Sequence, residues 1–419
     1  MTTLRGWLHA TVWSTAGLAA ASGFGQFGVI ALLGDLADAF GEPAGRGGIA
    51  PTVGMAGTTL GVGLAIIRLA SLASLPAASI ADRFGRRRVL IAVCAAGLGF
   101  TVVSAASPSW WWFVAILAVG RPLLAATNAV AGVIAAEETT SQDRSKAIAL
   151  VSAAFAVGSG LFAVSRALLD QWIGFRGMLA LAVVPLLLVP LLGRRIEEPE
   201  RFTSATVGAT PRRRLVGPMP RSLRPRLVTL SAIHFATGLL SGPVNSYIFL
   251  YGEQVQGVDA TAMAALFVAS GVTGMAGLLA GRWGADRLGR RVTAASGLVA
   301  GATFAFVTYS GSRVALFVAY PLTVLAAAAF TPAAGALDAE LFPTRARATA
   351  AGWIAAAQIL GGVCGLAAFG VLADTFASFT AAAAAVCVPV AALSLAYVRL
   401  PETRGLRLEE SGRPPTDDS

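Results

Sequence analysis

This chain has little charge. Only 13% of its 419 residues are Asp, Glu, Lys or Arg, against 56% hydrophobic residues and a mean hydropathy of +0.70. The water-solvated surface that wraps a globular enzyme cannot be built from such a composition. Histidine occurs twice, and the three cysteines, Cys94, Cys364 and Cys387, lie singly inside apolar runs with no metal-ligand spacing. That excludes a disulfide framework, a metal site and a His-rich catalytic set. There is no nucleotide-binding loop and no nucleophile–base pairing at recognisable spacing, so an enzyme is not expected and no cofactor is implied.

What the chain does have is apolar sequence in runs of about 20 residues, the length of one bilayer crossing, separated by short loops rich in Arg, Gly or Pro. Such runs are placed at 11–34, 55–81, 89–107, 111–135, 147–169 and 177–193, and again at 227–251, 261–283, 292–309, 313–336, 348–373 and 378–398. The first is too long for a secretory signal core and lacks a basic start and a small-residue cleavage site, so it is expected to stay as a span. The expected organisation is an N-terminal six-helix bundle at 1–196, a cytoplasmic linker at 197–226, a C-terminal six-helix bundle at 227–400 and a tail at 401–419.

The formal charge of +10 could suggest nucleic acid, but the arginines gather at the ends of apolar runs and not on one soluble face. With the amino terminus in the cytoplasm, Arg83, Arg86 to Arg88, Arg144, Lys146, the 194–226 stretch, Arg287 to Arg291, Arg345 and Arg347 all fall on that side. This is the asymmetry expected of cytoplasmic loops. A multi-pass protein of the cytoplasmic membrane with both termini inside is predicted.

The chain also repeats itself. Asp82-Arg83-Phe84-Gly85-Arg86-Arg87 after the second span returns as Asp286-Arg287-Leu288-Gly289-Arg290-Arg291 after the eighth, roughly 200 residues on. The spacing of Glu137 and Arg144 after the fourth span returns in Glu340 and Arg347 after the tenth, and Pro199-Glu200-Arg201 is paired with Pro401-Glu402 and Arg404. Three pairs in one register imply a duplicated six-helix unit.

The stretch Ala78 to Leu90 resembles the loop signature G-x-L-A-D-R-x-G-R-R-x-x-L of the major facilitator superfamily, lacking only the leading glycine. Glu340, Pro343, Arg347 and the ending Pro401-Glu402-Thr403-Arg404-Gly405 are similar to the sugar porter and organic-ion (metabolite:proton symporter) branch. The first-half copy departs from that branch, with Thr140 at its proline position. The resemblance implies an all-α polytopic membrane protein with twelve transmembrane helices in two pseudo-symmetric six-helix bundles. It also implies a cytoplasmic gate in which acidic and arginine side chains of neighbouring helices pair. Asp82, Arg83, Gly85, Arg86, Arg87, Glu137 and Arg144 would form it in the first half, and Asp286, Arg287, Gly289, Arg290, Glu340, Arg345 and Arg347 in the second. Buried ion pairs suit this role because separating the partners is costly.

Charged groups deep in a span point to function, since hydrocarbon penalises them. Arg68 lies roughly 21 Å of helix from Asp82, and Arg121 roughly 24 Å from Glu137, at 1.5 Å per residue. Contact with substrate is one reading, and a structural bond to carbonyls or snorkelling outward is the other. Gln26, Asn128, His234, Asn245, Tyr247 and Gln358 could orient a polar cargo or bond helix to helix. No carboxylate is placed mid-span, and Asp35 and Asp38 fall at the outer end of the first. Proton-coupled sugar porters commonly carry an acid in the first helix, where Gln26 stands here, so His234 is the remaining proton-coupling candidate.

The expected function is secondary active or facilitative transport of a small organic solute by alternating access, with a lean toward an organic anion or carboxylate. Exporters of hydrophobic or cationic metabolites or drugs, sugar transporters and non-transporting membrane sensors stay open as alternatives. The partners implied are the small-molecule substrate, a proton or counter-ion, and the lipid bilayer, with the chain acting as a monomer.

Overall fold

Where no water reaches, an unpaired peptide N–H or C=O is too costly to leave bare, so apolar runs of this length settle as helices. The computed structural model describes residues 6–41, 47–140, 143–198 and 219–405, with the side chains of residues 78, 79, 82, 344, 345 and 398 outside that description. The side chains of Asp82 and Arg345, most of the predicted linker and most of the predicted tail therefore lie outside the described residues.

Every regular element among the described residues is helical. The helices are α1 (Ala10–Ala31), α2 (Leu33–Phe40), α3 (Ala50–Val53), α4 (Gly57–Ala70), α5 (Ala77–Phe84), α6 (Arg86–Ser104), α7 (Trp110–Glu138), α8 (Arg144–Ala180) and α9 (Val183–Arg194). They continue as α10 (Arg224–Ser246), α11 (Ala260–Arg287), α12 (Arg290–Thr308), α13 (Arg313–Glu340), α14 (Thr344–Phe376) and α15 (Phe379–Leu393). Short polar side chains start several of them. Asp259, Ser312 and Ser378 accept the free N–H groups of Ala262, Ala315 and Ala381 at 3.1, 3.4 and 3.3 Å.

Among the described residues ten helices are long and apolar enough to cross a membrane, and α1 with α2, which meet at 50°, pass the same test together. The remaining predicted span follows Gly174. There, φ of 60° and ψ of −179° break α8 into two helices, the second of which leads into α9. Each of the twelve predicted runs is thus found as helix, and the outward faces are apolar, with Trp172 78% and Val314 73% exposed.

The chain divides into two compact units, residues 1–36 with 66–212 and residues 37–65 with 213–419. Segment 37–65 therefore groups apart from the rest of the expected 1–196 domain. Its reason is local. Asp374 on α14 accepts from Gly57 and Thr58 at the start of α4, and the carbonyls of Gly370 and Leu366 lie where a Cβ on Gly57 or Gly61 would go. In the first unit α1 packs on α7 and α8, and α6 on α7 and α9. In the second α10 packs on α14, α12 on α13 and α15, and α11 on α13. First with fifth, third with fourth and third with sixth thus recur as seventh with eleventh, ninth with tenth and ninth with twelfth.

Two of these contacts are made backbone to backbone. A Cβ on Gly158 of α8 would fall on the Ala20 carbonyl of α1, and a Cβ on Gly238 of α10 on the Gln358 carbonyl of α14. Close approach through small residues is how helices gain contact energy in lipid, where hydrophobicity no longer drives them together. Gly158→Leu and Gly238→Leu should each cost at least roughly 1–3 kcal/mol through overpacking. Gly132→Ala, where a Cβ meets nothing within 4 Å, should leave the melting temperature of the purified protein within about 1 °C of wild type.

Candidate functional site

In the first unit the helix α1 turns Ser22 and Gln26 toward α7. Ser22 Oγ donates to the Leu124 carbonyl at 2.8 Å, Gln26 Nε2 donates to Ser22 Oγ at 2.9 Å, and Arg121 Nη1 donates to the Gln26 carbonyl at 3.1 Å. Gln26 thus supports Arg121 through its main chain while its amide is held locally. Arg68 on α4 is near enough for its charge to act on Arg121, and its Nε is buried with no hydrogen-bond partner among the described residues. Asn128 lies two turns beyond Arg121 on α7, on the same side of the helix, and its Oδ1 is also buried without a partner. Four of the sequence candidates therefore belong to one unit, and two of them are neighbouring guanidinium groups. Such a pair repels itself and gains from an anion that can accept from both.

The candidates of the second unit do not gather in this way. His234 is buried on α10, and its Nε2 lies 3.1 and 3.0 Å from the two carboxylate oxygens of Asp338 on α13. Asn245 is exposed and donates to the Ser241 carbonyl at 2.9 Å. Tyr247 has no exposed surface. It stacks on Phe369 at 4.9 Å and meets Phe379 edge-on at 6.3 Å, in a cluster that includes Tyr251 and Tyr309. Gln358 is half-buried where α14 crosses α10 at Gly238.

The repeated loops carry matching contacts. Arg86 pairs with Glu137 in the first unit, and Arg290 Nε lies 3.6 Å from Glu340 in the second, with Asp286 3.9 Å from its Nη1. Arg144 Nε donates to the Ala136 carbonyl at 3.0 Å, and Arg347 Nε donates to Ala339 at 2.8 Å and its Nη2 to Phe342 at 3.3 Å. Arg87 Nε donates to Gly193, while Arg83 is exposed beside Phe84 and Arg287 lies over Trp283.

A further duplicated contact sits at the helix starts that follow these loops. The main-chain N–H groups of Arg86 and Arg87 donate to Glu198, and those of Arg290 and Arg291 donate to Glu402 at 2.9 and 3.1 Å. Each carboxylate thereby satisfies the bare donors of a helix N-terminus. Gly85 at φ 95° and Gly289 at φ 105° precede these helices, and a Cβ on either would press on the capping carboxylate, 3.2 and 2.7 Å from its nearer oxygen. Glycine is thus required twice over, by conformation and by space. Glu198 makes the contact that matches that of Glu402, and the Pro199-Glu200-Arg201 of the expected pairing lies outside the described residues.

Four charged residues escaped the sequence reading. Arg166, 3% exposed in the fifth span, bonds Asp35 at 2.7 Å and lies 3.7 Å from Asp170. Asp338 and Asp374 stand just beyond the predicted ends of the tenth and eleventh spans. Asp374 accepts from Gly57 N–H, Thr58 N–H and Thr58 Oγ1 at 2.8, 2.8 and 2.7 Å. Glu198 was hidden by its neighbours Glu197 and Glu200. A direct list of every charge within three residues of a span would have found the first three.

The family model described as Major Facilitator Superfamily matches residues 15–312 and 266–417. A probable 4-methylmuconolactone transporter of Cupriavidus pinatubonensis (strain JMP 134 / LMG 1197) is 25% identical over 348 residues, 80% of this chain and 79% of that one. Among solved structures, the inward open conformation of the xylose transporter XylE from E. coli is similar at a TM-score of 0.72 and 18% identity over 96% of this chain and 98% of that one. The human organic anion transporter MFSD10 (TETRAN) is similar at a TM-score of 0.63 and 17% identity over 93% and 98%. At these identities the two structures share the fold.

The cap is open to test by pH. Burial pushes the Glu402 carboxyl upward, but the N–H groups of Arg290, Arg291, Arg404 and Thr403 together outweigh it and hold the group below the ordinary 4.5. A depressed folded value contributes stability that is complete above the unfolded pKa and lost as pH falls through the folded one. Glu402→Gln should therefore melt about 2–4 °C below wild type at neutral pH, and the gap should shrink as pH falls below the ordinary 4.5 and close once the folded carboxylate is protonated. A gap that stays constant in acid would show that the carboxylate charge is not its source.

Proposed function

We propose that this chain, which belongs to the Major Facilitator Superfamily and is a multi-pass membrane transporter of small organic solutes, carries an organic anion held by Arg68 and Arg121. What supports the anionic class is that these two neighbouring guanidiniums face no carboxylate partner among the described residues, while Arg68 Nε is left without any acceptor. A bound carboxylate would supply the missing charge and acceptors, and Asn128, with its own bare Oδ1, would orient polar groups of the cargo. The curated relative is described as transporting 4-methylmuconolactone and one structural neighbour as an organic anion transporter, which agrees with a small organic acid or lactone.

In this reading the protein is a monomer in the cytoplasmic membrane, with its basic loops and both termini in the cytoplasm. The Arg86–Glu137 and Arg290–Glu340 pairs act as latches of alternating access on that side. Each joins the start of one span to the end of another, and separating its partners away from water is costly enough to hold one state and reversible enough to release it.

Binding of 4-methylmuconolactone and of small aromatic and aliphatic carboxylates, read by thermal shift and titration calorimetry, tests the site. Arg121→Ala should weaken the best ligand by roughly 10- to 100-fold, the loss of one charge-assisted bond, and Arg121→Lys by less. Unchanged affinity in Arg121→Ala would remove the anion site. In proteoliposomes Glu137→Gln and Glu340→Gln should alter the turnover rate about 5-fold or more while shifting the ligand affinity less. A pure affinity effect would deny these pairs a latch role.

A further inference from the structure

We propose that His234, Asp338 and the space around Tyr397 form a proton-binding site in the C-terminal half, with Nδ1 of His234 as the atom that takes and gives the proton. As a coupling device this rests on the transport reading above, but as a proton site it stands by itself. His234 lies roughly 15 Å along α10 from Arg224 and is buried, as is the edge of Phe330, whose ring is 6.4 Å away. Its Nε2 is 3.1 and 3.0 Å from the two oxygens of Asp338, so Nε2 carries the hydrogen and donates it to the carboxylate. Nδ1 is then a lone pair, and it is buried with no hydrogen-bond partner among the described residues. The Tyr397 hydroxyl, within reach of the Asp338 charge and packed against Phe330 at 6.3 Å, is likewise buried and unpartnered.

A second nitrogen left bare away from water is costly to keep, and a proton on it would relieve that cost. A free lone pair is what a proton acceptor needs. When Nδ1 accepts a proton from hydronium, one N–H bond forms, one O–H bond breaks and water is left, nothing is oxidised, and the His–Asp pair passes from singly negative to neutral. Release through the same lone pair reverses the step. Hydrocarbon favours the neutral pair and access to water favours the charged one, so proton occupancy would follow which side reaches the site. The first unit's candidate anion site is positive, and one proton taken up here with each monovalent anion would leave the charge carried across the membrane at zero.

Three charged groups on the helices of the pair and on α14 have contacts of their own. Arg226 on α10 donates to the Leu341 carbonyl at 3.3 Å, Arg347 on α14 donates to Ala339 and Phe342, and Glu340 on α13 meets Arg290 of α12. Among the described residues Asp338 is therefore the carboxylate that faces the imidazole, with the Tyr397 hydroxyl close by.

The chain contains two histidines, so heteronuclear NMR of the histidine side-chain nitrogens can follow them in the purified full-length protein without any cargo. His9→Asn assigns the other signal and keeps the cap that His9 provides to Thr11. The signal missing from His234→Gln should show hydrogen on Nε2 and a bare Nδ1 at the alkaline end of a series run from about pH 9 to pH 5 and gain a proton at Nδ1 toward its acid end, and that response should change in Asp338→Asn, where the facing carboxylate is gone. A signal that keeps one protonation state across that range, or titrates identically in Asp338→Asn, would overturn the site. In liposomes with an imposed pH gradient, His234→Gln should abolish accumulation of 4-methylmuconolactone while retaining its exchange, and accumulation equal to wild type would overturn the coupling. No flux in wild type would count against the cargo reading alone, because the titration decides the proton site without it.

Discussion

Hydrocarbon cannot hydrogen-bond a peptide group, and it does not pay helices to hide apolar side chains that are already in an apolar medium. Helices in such a solvent gain from each other mainly by bringing main chains close and by matching the polar groups they cannot shed. Both devices recur here. Gly158 and Gly238 admit a neighbouring carbonyl into the space of a side chain. The Glu198 and Glu402 carboxylates meet the bare N–H groups at the starts of α6 and α12, and Asp374 meets those of α4.

The duplication is most evident in the contacts of main-chain groups. Glu198 and Glu402 cap equivalent helices, Gly85 and Gly289 give them room, and Arg144 and Arg347 reach back to the carbonyls of Ala136 and Ala339. The two halves diverge in their interiors. Among the described residues the first holds Arg68 and Arg121 with no carboxylate beside them, and the second holds His234 against Asp338 and an aromatic cluster around Tyr309. A shared frame with dissimilar contents permits two kinds of chemistry within one duplicated plan.

The sequence made the frame legible because the bilayer imposes one length on every span and the two hexapeptides sit at equivalent loops. Arg68 and Arg121 were visible for the same reason, as charges where none is cheap. Other features were not. Asp338 fell two residues past a predicted span end, and the depth of a side chain depends on where a helix ends and how it tilts. Tyr247 reads as a polar group in a span, yet its neighbours Phe369 and Phe379 come from far along the chain and enclose it. The grouping of residues 37–65 with the second unit follows from Asp374, a partner more than 300 positions distant. In the run Glu197-Glu198-Pro199-Glu200 the motif spacing pointed to Glu200, and the cap made by Glu198 could be found only from the direction of the α6 start.

Carbonyls lodged against glycines leave the α1–α8 and α10–α14 crossings without slack, for a slide of either helix would drive side chains into backbone. Each such pair is a stiff beam. Compliance then has to reside where the main-chain ladder is already interrupted: at the tight turn of Ser71–Ser74 ahead of Pro76, at Gly174, and at the π-helical turn Tyr251–Val255. Joints of this kind, with the 50° break between α1 and α2 among them, and not the packed faces, are where a stroke of this molecule would be absorbed.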